Sequence, residues 1–317
     1  MSEMRIVFMG TPEFAVPSFR ALIERGYKVV GAFTQPDRPA GRGHKLAVCP
    51  VKQEAERAGV PVFQFQKIRS DEGLSALTAL SPDLCVTAAF GQILSQKVLD
   101  IPKIGTVNVH ASLLPAYRGA APVNWCLIEG ETVTGVTTMM TDKGIDTGDI
   151  LLQRETEIGP EETAGQLLVR LSETGAALLI ETLKKIESGS CPRNPQDTAR
   201  ASYFPMLKKE TGLIDFTMSP ERIVNLARGL NPWPGAYALL PEGALKVRKA
   251  RPVAVSHSAQ PGLILEASAK KGLVVACGGG AVEILEMQAP NGKPMSAKAY
   301  LAGKILPVGL VLNEVQP

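Results

Sequence analysis

Short apolar runs alternate with helical patterns through the first half of the chain. Four of these runs are predicted as buried strands: Arg5–Met9, Lys28–Thr34, Leu84–Ala89 and Thr106–Val109. The patterns between them predict helices, one with Val16, Phe19 and Ile23 on its apolar face and one over Val51–Ala58. This alternation is typical of a doubly wound α/β sheet whose strands are mostly parallel. In such a sheet the ligand site lies beyond the carboxyl ends of the strands.

Helical spacing returns after the alternating region and then stops abruptly. Residues 163–187 predict one long helix, whose apolar stripe contains Leu167, Leu168, Leu171, Leu178, Leu179 and Leu183. Residues 189–207 break all regularity with Pro and Gly and are interpreted as a linker. A further helix is predicted to begin with Ser219 as N-cap and Pro220 in the first turn.

The last part of the chain favours β-structure. Short strands are predicted over Leu245–Val247, Gly262–Leu265, Leu273–Ala276 and Ala281–Met287, with Gly278–Gly280 as a hairpin turn. Several short strands close together indicate a small β-barrel, for which the OB fold is the natural candidate. We therefore expect an α/β domain over residues 1–188, a linker over 189–207 and an OB-like domain over 208–317.

Length and composition indicate the class of protein and its cellular location. The chain is 45% hydrophobic and 21% charged over 317 residues, as in a globular protein of about two domains. No apolar run approaches the ~20 residues that cross a bilayer, and the start lacks the features of a signal peptide. A cytoplasmic protein without membrane association is expected. The five cysteines contain no CxxC and there are only three histidines, so free thiols and no metal site are expected.

Charge is distributed unevenly along the chain. Residues 1–207 carry 21 Lys and Arg against 23 Asp and Glu, a net charge of −2, whereas residues 208–317 carry 13 against 8, a net charge of +5. A basic last part would suit binding to nucleic acid. Ordinary scatter of surface charge explains the same numbers, and the charge alone leaves both interpretations open.

The densest chemistry lies where a predicted strand leaves the sheet. Strand alternation places Asn108 and His110 on the same face. An amide donor can stabilise a developing oxyanion and an imidazole can move a proton, which is how an acyl-transfer site could be built. The alternative is an ordinary strand end with a hydrogen-bonded histidine.

A second polar segment strengthens the first interpretation. Asp142–Ile150 carries two glycines and three carboxylates. Asp146 is the best candidate for pairing with His110, because a nearby carboxylate favours the imidazolium. A plain turn or a calcium loop are the alternatives, and the spacing of an EF-hand is absent.

Two further segments bear on whether the chain binds phosphate groups. Residues 34–45 are rich in Gly and Pro and carry Arg38, Arg42, His44 and Lys45, so they could form a mobile basic loop that engages phosphates. Taken alone, the segment is better explained as a solvated surface loop with incidental charge. Gly10–Glu13 follows the first strand but lacks the glycines of GxGxxG, and Pro12 removes a backbone N–H. This argues against binding of NAD or FAD.

Taken together, the motifs resemble the methionyl-tRNA formyltransferase family over essentially the whole chain. They are Phe8–Pro17, Thr34–Gly43, Asn108–Pro115, Tyr117–Pro122, Gly144–Asp149 and Asn231–Pro234. The resemblance implies transfer of a formyl group from 10-formyltetrahydrofolate to the α-amino group of methionyl initiator tRNA in translation initiation. Ser95 stands where many members have proline, and Gln92 is one of several residues tolerated before Ile93.

The resemblance also implies roles for individual residues. Asn108, His110 and Asp146 would form the catalytic set. The residues that would bind the folate are Phe90, Gly91, Gln92, Ile93, Leu94, Ser112, Leu113, Leu114, Pro115, Asp142, Gly144 and Ile145. Those that would contact tRNA are Arg38, Gly41, Arg42, Gly43, Lys45, Lys208, Lys209, Lys246, Arg248 and Lys249, with Arg251, Lys270 and Lys271 as further basic candidates.

Other functions remain open at this point. The same folate site could serve a sugar-amine or glycinamide ribonucleotide formyltransferase, although the Arg42 loop and the basic last part favour tRNA. A folate-sensing or RNA-binding protein without catalysis would not need Asn108, His110 and Asp146 together. We expect no DNA partner, no metal and a monomer.

Overall fold

The structure, a computed structural model, describes residues 3–40 and 45–314. It divides into two compact units. The first contains residues 1–119, 133–157 and 168–204, and the second contains 120–132, 158–167 and 205–317. Each unit therefore combines stretches that are separate in the sequence. The functional division at residues 188 and 208 stays a prediction.

The first unit is built on a seven-stranded sheet. The strands of this unit are β1 (Arg5–Gly10), β2 (Lys28–Thr34), β3 (Arg38–Ala40), β4 (Lys45–Ala47), β5 (Val62–Gln64), β6 (Leu84–Ala88), β7 (Gly105–His110), β8 (Arg118–Gly119), β9 (Val133–Met140), β10 (Ile150–Glu157) and β11 (Tyr203–Phe204). Their order in the large sheet is β10-β9-β7-β6-β1-β2-β5, while β3 pairs with β4 and β8 with β11. Five of the seven strands pair with one another in parallel. At one edge β9 pairs antiparallel with β7, and β10 pairs antiparallel with β9. The mostly parallel sheet is confirmed.

The predicted helices are present, with two differences in the buried face. The helices are α1 (Val16–Glu24), α2 (Pro50–Arg57), α3 (Asp71–Ala79), α4 (Gln96–Leu99), α5 (Pro122–Ile128), α6 (Ala164–Glu187), α7 (Pro220–Gly229) and α8 (Ala297–Gly303). In α1 the buried residue is Leu22 rather than Ile23. In α6 Leu168 is 37% exposed, whereas the other five stripe leucines are buried. Adjacent residues in an α-helix point about 100° apart, so the buried face cannot take both members of every adjacent pair, such as Leu167 and Leu168.

The register of the sheet brings polar residues to one edge. Thr87 on β6 is paired with Asn108 on β7, and His110 at the end of β7 is paired with Thr137 on β9. The turns that follow β1, β2 and β6 are joined by side chains, since Thr11 Oγ1 and Gln35 Nε2 both donate to the carbonyl of Phe90. Because the carboxyl ends of parallel strands share one edge, this edge is the place for a ligand site.

The second unit combines helices α5, α7 and α8 with an antiparallel sheet. Its strands are β12 (Ala236–Leu240), β13 (Gly243–Val253), β14 (Ile264–Ser268), β15 (Gly272–Cys277), β16 (Gly280–Gln288) and β17 (Met295–Ser296). The order is β12-β13-β16-β15-β14, with β17 on β16. The predicted hairpin turn joins β15 to β16, and Ser219 caps α7 by accepting a hydrogen bond from the Arg222 N–H. Ile223, Leu226 and Leu230 pack into the core of this unit, as predicted.

Within residues 3–40 and 45–314, no helix is long and apolar enough to cross a bilayer. The five cysteines are free thiols, as predicted. Burial raises the pKa of Cys85 to about 12 and that of Cys277 to about 11, so both thiols are neutral at physiological pH.

Candidate active site

Asn108 lies half-buried near the end of β7 with its amide oriented by a neighbour. Thr87 Oγ1 donates to Asn108 Oδ1 at 2.9 Å. The oxygen of the amide is therefore occupied from within the sheet. In the described part of the chain the Asn108 NH2 group has no hydrogen-bond partner, which leaves two donors for a ligand.

His110 is 7% exposed and has contacts at both ring nitrogens. Nε2 lies 3.0 Å from the carbonyl oxygen of Tyr117. A carbonyl can only accept, so Nε2 carries a hydrogen. Nδ1 lies 3.7 Å from Asp146 Oδ1. In the neutral ring Nδ1 holds a lone pair, and protonation would place an N–H towards the carboxylate, as an imidazolium requires.

Asp146 is held in an unusual backbone conformation. Its φ angle is +54°, in the left-handed region that non-glycine residues rarely adopt. The Gly119 N–H donates to Asp146 Oδ2 at 2.9 Å, so one carboxylate oxygen is bound by the main chain while the other faces His110. Strained residues of this kind occur where the surroundings determine the conformation, often at functional sites.

Residues 194–204, which we call the clamp segment, pack beside Asp146. Gln196 Nε2 donates to the carbonyls of Asp146 and Gly148 at 2.9 and 2.7 Å. Ser202 Oγ accepts from the Tyr117 N–H, and the rings of Tyr117 and Phe204 are stacked at 4.9 Å. These contacts were missed from the sequence, which indicated only a linker. The Gly, Pro and Asn that end a helix carry no signal of what the segment packs against.

Arg118 lies behind this arrangement and is 1% exposed. Its Nε and Nη2 both donate to Gln196 Oε1, at 3.0 and 2.6 Å, and its Nη1 donates to the Tyr203 hydroxyl at 2.6 Å. The guanidinium also lies 5.4 Å from the centre of the Tyr203 ring, within cation–π range.

Residues 112–115 lie beside the site, but mostly face the interior. Ser112 is fully buried and donates to the carbonyl of Ala116, and Leu114 is also buried. Thr137 Oγ1 binds the Ser112 carbonyl and the Leu114 N–H, while Gln153 Nε2 donates to the Leu114 carbonyl. Leu113 and Pro115 are half-exposed. The side chains of Ser112 and Leu114 therefore shape this turn from within.

Residues 90–94 follow β6, and the backbone of Ile93 among them is available to a ligand. Phe90 and Leu94 pack into the core, whereas Ile93 is 72% exposed. Gln92 is fixed from both ends of its amide, accepting from the Ile68 N–H and donating to the Phe65 carbonyl. Within the described residues, the backbone N–H and C=O groups of Ile93 have no hydrogen-bond partner.

The loop between β9 and β10 is organised by its first carboxylate. Asp142 Oδ1 accepts from the Gly144 N–H at 3.0 Å and from Thr147 Oγ1 at 2.7 Å. Asp142, Gly144 and Ile145 are exposed, and Ile145 adds a second exposed apolar side chain. Among the described residues, no group of three His, Cys, Asp or Glu side chains could hold a metal ion.

The predicted tRNA-contacting residues differ in exposure and in the partners that they already have. Gly41, Arg42 and Gly43 lie outside the described residues, as does the side chain of Lys45, whereas Arg38 is exposed. In the second unit Lys208, Lys209, Lys246 and Lys249 are exposed, and Arg248 is half-buried. Several of the basic candidates are already partnered: Lys249 with Glu161, Arg251 with Glu283, Lys271 with Glu266 and Arg248 with Gln288.

Comparison of the whole structure with solved proteins gives the fold. It is similar to HypX from Aquifex aeolicus in complex with tetrahydrofolic acid (TM-score 0.61, 19% identity), which matches 95% of this chain and 47% of HypX. This chain thus spans about half the length of HypX. It is also similar to an N-formyltransferase from Helicobacter canadensis in complex with folinic acid and dTDP-3-aminofucose (TM-score 0.65, 18% identity, 89% of this chain and 98% of that one).

Sequence comparison is more specific. The Formyl transferase family matches residues 4–183, and the Formyl transferase, C-terminal domain family matches residues 206–304. The methionyl-tRNA formyltransferase of Geobacter metallireducens is 51% identical, and the match covers 99% of this chain and the full length of that protein. The methionyl-tRNA formyltransferase of Citrifermentans bemidjiense is 52% identical, and the match covers 98% of this chain and 97% of that protein. The chain belongs to the methionyl-tRNA formyltransferase family.

Proposed function

We propose that this enzyme transfers the formyl group of 10-formyltetrahydrofolate to the α-amino group of methionyl initiator tRNA, for translation initiation. The observation that carries the proposal is the convergence of three groups at the carboxyl edge of the sheet. Within the described residues the Asn108 NH2 group has no partner, and His110 lies between the Tyr117 carbonyl and the Asp146 carboxylate. An amide donor with a proton-handling pair suits acyl transfer.

The chemistry follows from these groups. The neutral amine of methionine attacks the formyl carbon on N10, and a tetrahedral intermediate forms with negative charge on its oxygen. The Asn108 NH2 group donates to that oxygen. Protonated His110 stabilises the oxygen through its positive charge, since its two ring nitrogens face Tyr117 and Asp146. The Asp146 carboxylate faces His110 Nδ1 and helps to remove the amine proton, directly or through water. The C–N10 bond then breaks, N10 takes up a proton, and formylmethionyl-tRNA is released.

The folate is proposed to bind along residues 90–94, with Ser112–Pro115 and the Asp142–Ile145 loop as neighbouring walls. A pterin ring carries donors and acceptors along one edge, and the unpartnered main chain of Ile93 offers complementary groups. The exposed side chains of Ile93 and Ile145 offer apolar surface for a ring. Buried Ser112 and Leu114 would act through the backbone of the turn that they shape.

The tRNA is proposed to contact the basic residues of the second unit and the loop at residues 38–45. Residues 208–317 carry the net charge of +5 that favours phosphate binding. We interpret the antiparallel sheet of this unit as an OB-type barrel, a fold that binds oligonucleotides in other proteins. Lys209, Lys246 and Lys270 are the strongest candidates, since within the described residues they form no ion pair. A cytoplasmic monomer remains part of the proposal.

The activity is tested by incubating the purified protein with 10-formyltetrahydrofolate and methionyl initiator tRNA. Formylation of the initiator but not of elongator methionyl-tRNA is the expected result. If the folate binds and no tRNA is formylated, the acceptor is wrong, and small amines such as amino sugars become the next substrates to test.

The roles of the polar residues are tested by one truncation and one near-isosteric change. Asn108→Ala removes the proposed oxyanion donor and should lower kcat about 10²–10³-fold, the usual cost of losing one such donor. Asp146→Asn should lower kcat by at least as much, because it removes the carboxylate that faces His110 and helps to take the amine proton. Asp100→Asn is a matched control, since the Asp100 side chain is exposed and its one hydrogen bond to another described side chain comes from Gln96. Near wild-type kcat in either site variant would remove that residue from the mechanism.

A further inference from the structure

Arg118 is a buried cation whose partners are all neutral. In the described structure it donates to Gln196 and to the Tyr203 hydroxyl, and it has no carboxylate partner. Burying a charge is costly unless its hydrogen bonds are satisfied. Packing alone therefore does not explain why a guanidinium is buried next to the loop of Asp146.

The guanidinium decides which way the Gln196 amide points. Arginine has donors only, so the amide oxygen of Gln196 must face Arg118. Nε2 is then directed to the opposite side, where it donates to the carbonyls of Asp146 and Gly148. A glutamine without such a neighbour could turn its amide over and lose both bonds.

These bonds hold the backbone of Asp146 from two sides. Gln196 binds the carbonyl of Asp146 itself and that of Gly148, while the N–H of Gly119, the residue after Arg118, binds the carboxylate. The φ angle of Asp146 is +54°, a conformation that persists only when its surroundings determine it. The carboxylate that faces His110 thus depends on contacts made by residues 118–119 and 196.

We propose that Gln196, oriented by Arg118, is a positioning residue for Asp146 in the formyl transfer. The inference rests on the proposed function, in which Asp146 acts through His110. A shift of about 1 Å in a reacting group typically costs about 10²-fold in rate. Loss of the two Gln196 donors should therefore lower kcat while leaving substrate affinity almost unchanged.

Gln196→Glu separates positioning from stability. The carboxylate keeps an acceptor for Arg118, so the folded state is retained, but it cannot donate to the Asp146 and Gly148 carbonyls and repels them. We expect kcat to fall about 10–100-fold, with KM for folate and for tRNA within about twofold of wild type. Gln288→Glu is the matched control. The Gln288 amide also accepts from an arginine, Arg248, and donates to a carbonyl, that of Gly292, but neither bond involves Asp146. Its kcat should not change.

A double-mutant cycle shows whether Gln196 acts through Asp146. In an Asp146→Asn background, Gln196→Glu should cause almost no further loss, because the positioned charge is already absent. Losses that multiply, or a Gln196→Glu enzyme with wild-type kcat, would overturn the inference. Full activity of Asp146→Asn would overturn it too while leaving formyl transfer intact. A wild-type protein that formylates no tRNA would instead refute the proposed function.

Discussion

Asn108 depends on a neighbour that carries no chemistry of its own. Thr87 Oγ1 occupies the amide oxygen and leaves the NH2 group for the ligand. Thr87→Val is nearly isosteric but removes this donor, so the amide could turn over and present its oxygen to the developing oxyanion. We expect kcat to fall about tenfold or more, since an oxyanion donor is worth about 10²–10³-fold.

Steady-state kinetics of the Thr87→Val enzyme, alone and with Asn108→Ala, provide the test. Without the amide there is nothing left to orient, so the double variant should be no slower than Asn108→Ala. A further tenfold loss in the double variant would mean that Thr87 acts by another route.

The proposed catalytic residues could be predicted from sequence motifs, whereas the residues that support them could not. Asn108, His110 and Asp146 belong to unusual polar segments beside apolar strands. Thr87 lies inside the apolar run of β6, and its pairing with Asn108 follows from sheet order alone. Gln196 is 50 residues from Asp146, in a segment with no periodicity. Hydrogen bonds between distant segments depend on tertiary packing, which local patterns do not encode.

At the scale of elements, the start of β1 is tied to the start of β6 by one carboxylate. Asp83 Oδ2 accepts from the Arg5 N–H at 2.8 Å, and Oδ1 lies 2.7 Å from Lys103 Nζ. The hydrogen bond from Lys103, followed by that from the Arg5 backbone, lowers the pKa of Asp83. A lowered folded-state pKa means stability that is present above the unfolded value of about 3.9 and is lost as the pH falls through the folded value.

Asp83→Asn should therefore unfold at lower urea concentration than wild type at pH 7. The difference should shrink as the pH falls below about 4, because the wild-type carboxylate becomes protonated. Urea titrations at several pH values measure this, with Lys103→Gln expected to reproduce part of the effect. A gap between Asp83→Asn and wild type that stays constant from pH 7 to pH 3 would contradict the electrostatic explanation.

The β9–β10 loop that carries Asp146 is closed by a glycine with no space for a side chain. A Cβ atom at Gly148 would lie 1.9 Å from the Met140 carbonyl oxygen, a backbone atom that cannot move freely. Gly148→Ala should lower stability by about 1–3 kcal/mol, the usual cost of overpacking, and should lower kcat by displacing Asp146.

Gly303→Ala is the control for this change, because nothing lies within 4 Å of a Cβ at the end of α8. It should be neutral or slightly stabilising, as alanine is favoured over glycine in helices. Thermal melting compares the two variants, and a Gly148→Ala protein as stable and active as Gly303→Ala would show that the loop can adapt.

Longer elements were predicted better than short ones. The 24-residue helix α6 and strand β2 have almost the predicted bounds. The three-residue strand β5 and the seven-residue helix α5 were missed, since so few residues cannot display a clear period. Helix α3 is as long as α1 but buries only Gly73 and Leu77, so its apolar pattern is weak. The polar strand β10 was also missed, because an antiparallel edge strand need not be apolar.

At the scale of the whole molecule, charge is the property that bears on tRNA. Binding to the basic second unit should weaken as salt rises, because each neutralised phosphate releases counterions. Lys209→Ala with Lys246→Ala should reduce the slope of log K against log salt by about 0.7–0.9 for each phosphate that a lysine no longer neutralises. Lys184→Ala removes one exposed charge from the first unit and should leave the slope unchanged.

Filter binding of initiator tRNA between about 50 and 200 mM salt, a range over which such binding falls by orders of magnitude, would measure these slopes. Folate affinity, measured in the same buffers, should vary far less. Equal slopes for the wild-type and the double-lysine protein would remove these two lysines from the interface.

The clamp segment also has a consequence for synthesis and for protein engineering. A fragment that stops at Glu187 would contain Asn108, His110 and Asp146 but lack Gln196 and its two hydrogen bonds to the Asp146 loop. On the ribosome, the site would therefore be completed only after residue 204 has left the exit tunnel. Any shortened protein that is to keep this arrangement must therefore include the chain through Phe204, and the same reasoning argues against inserting a tag or a cleavage sequence between Asn194 and Phe204.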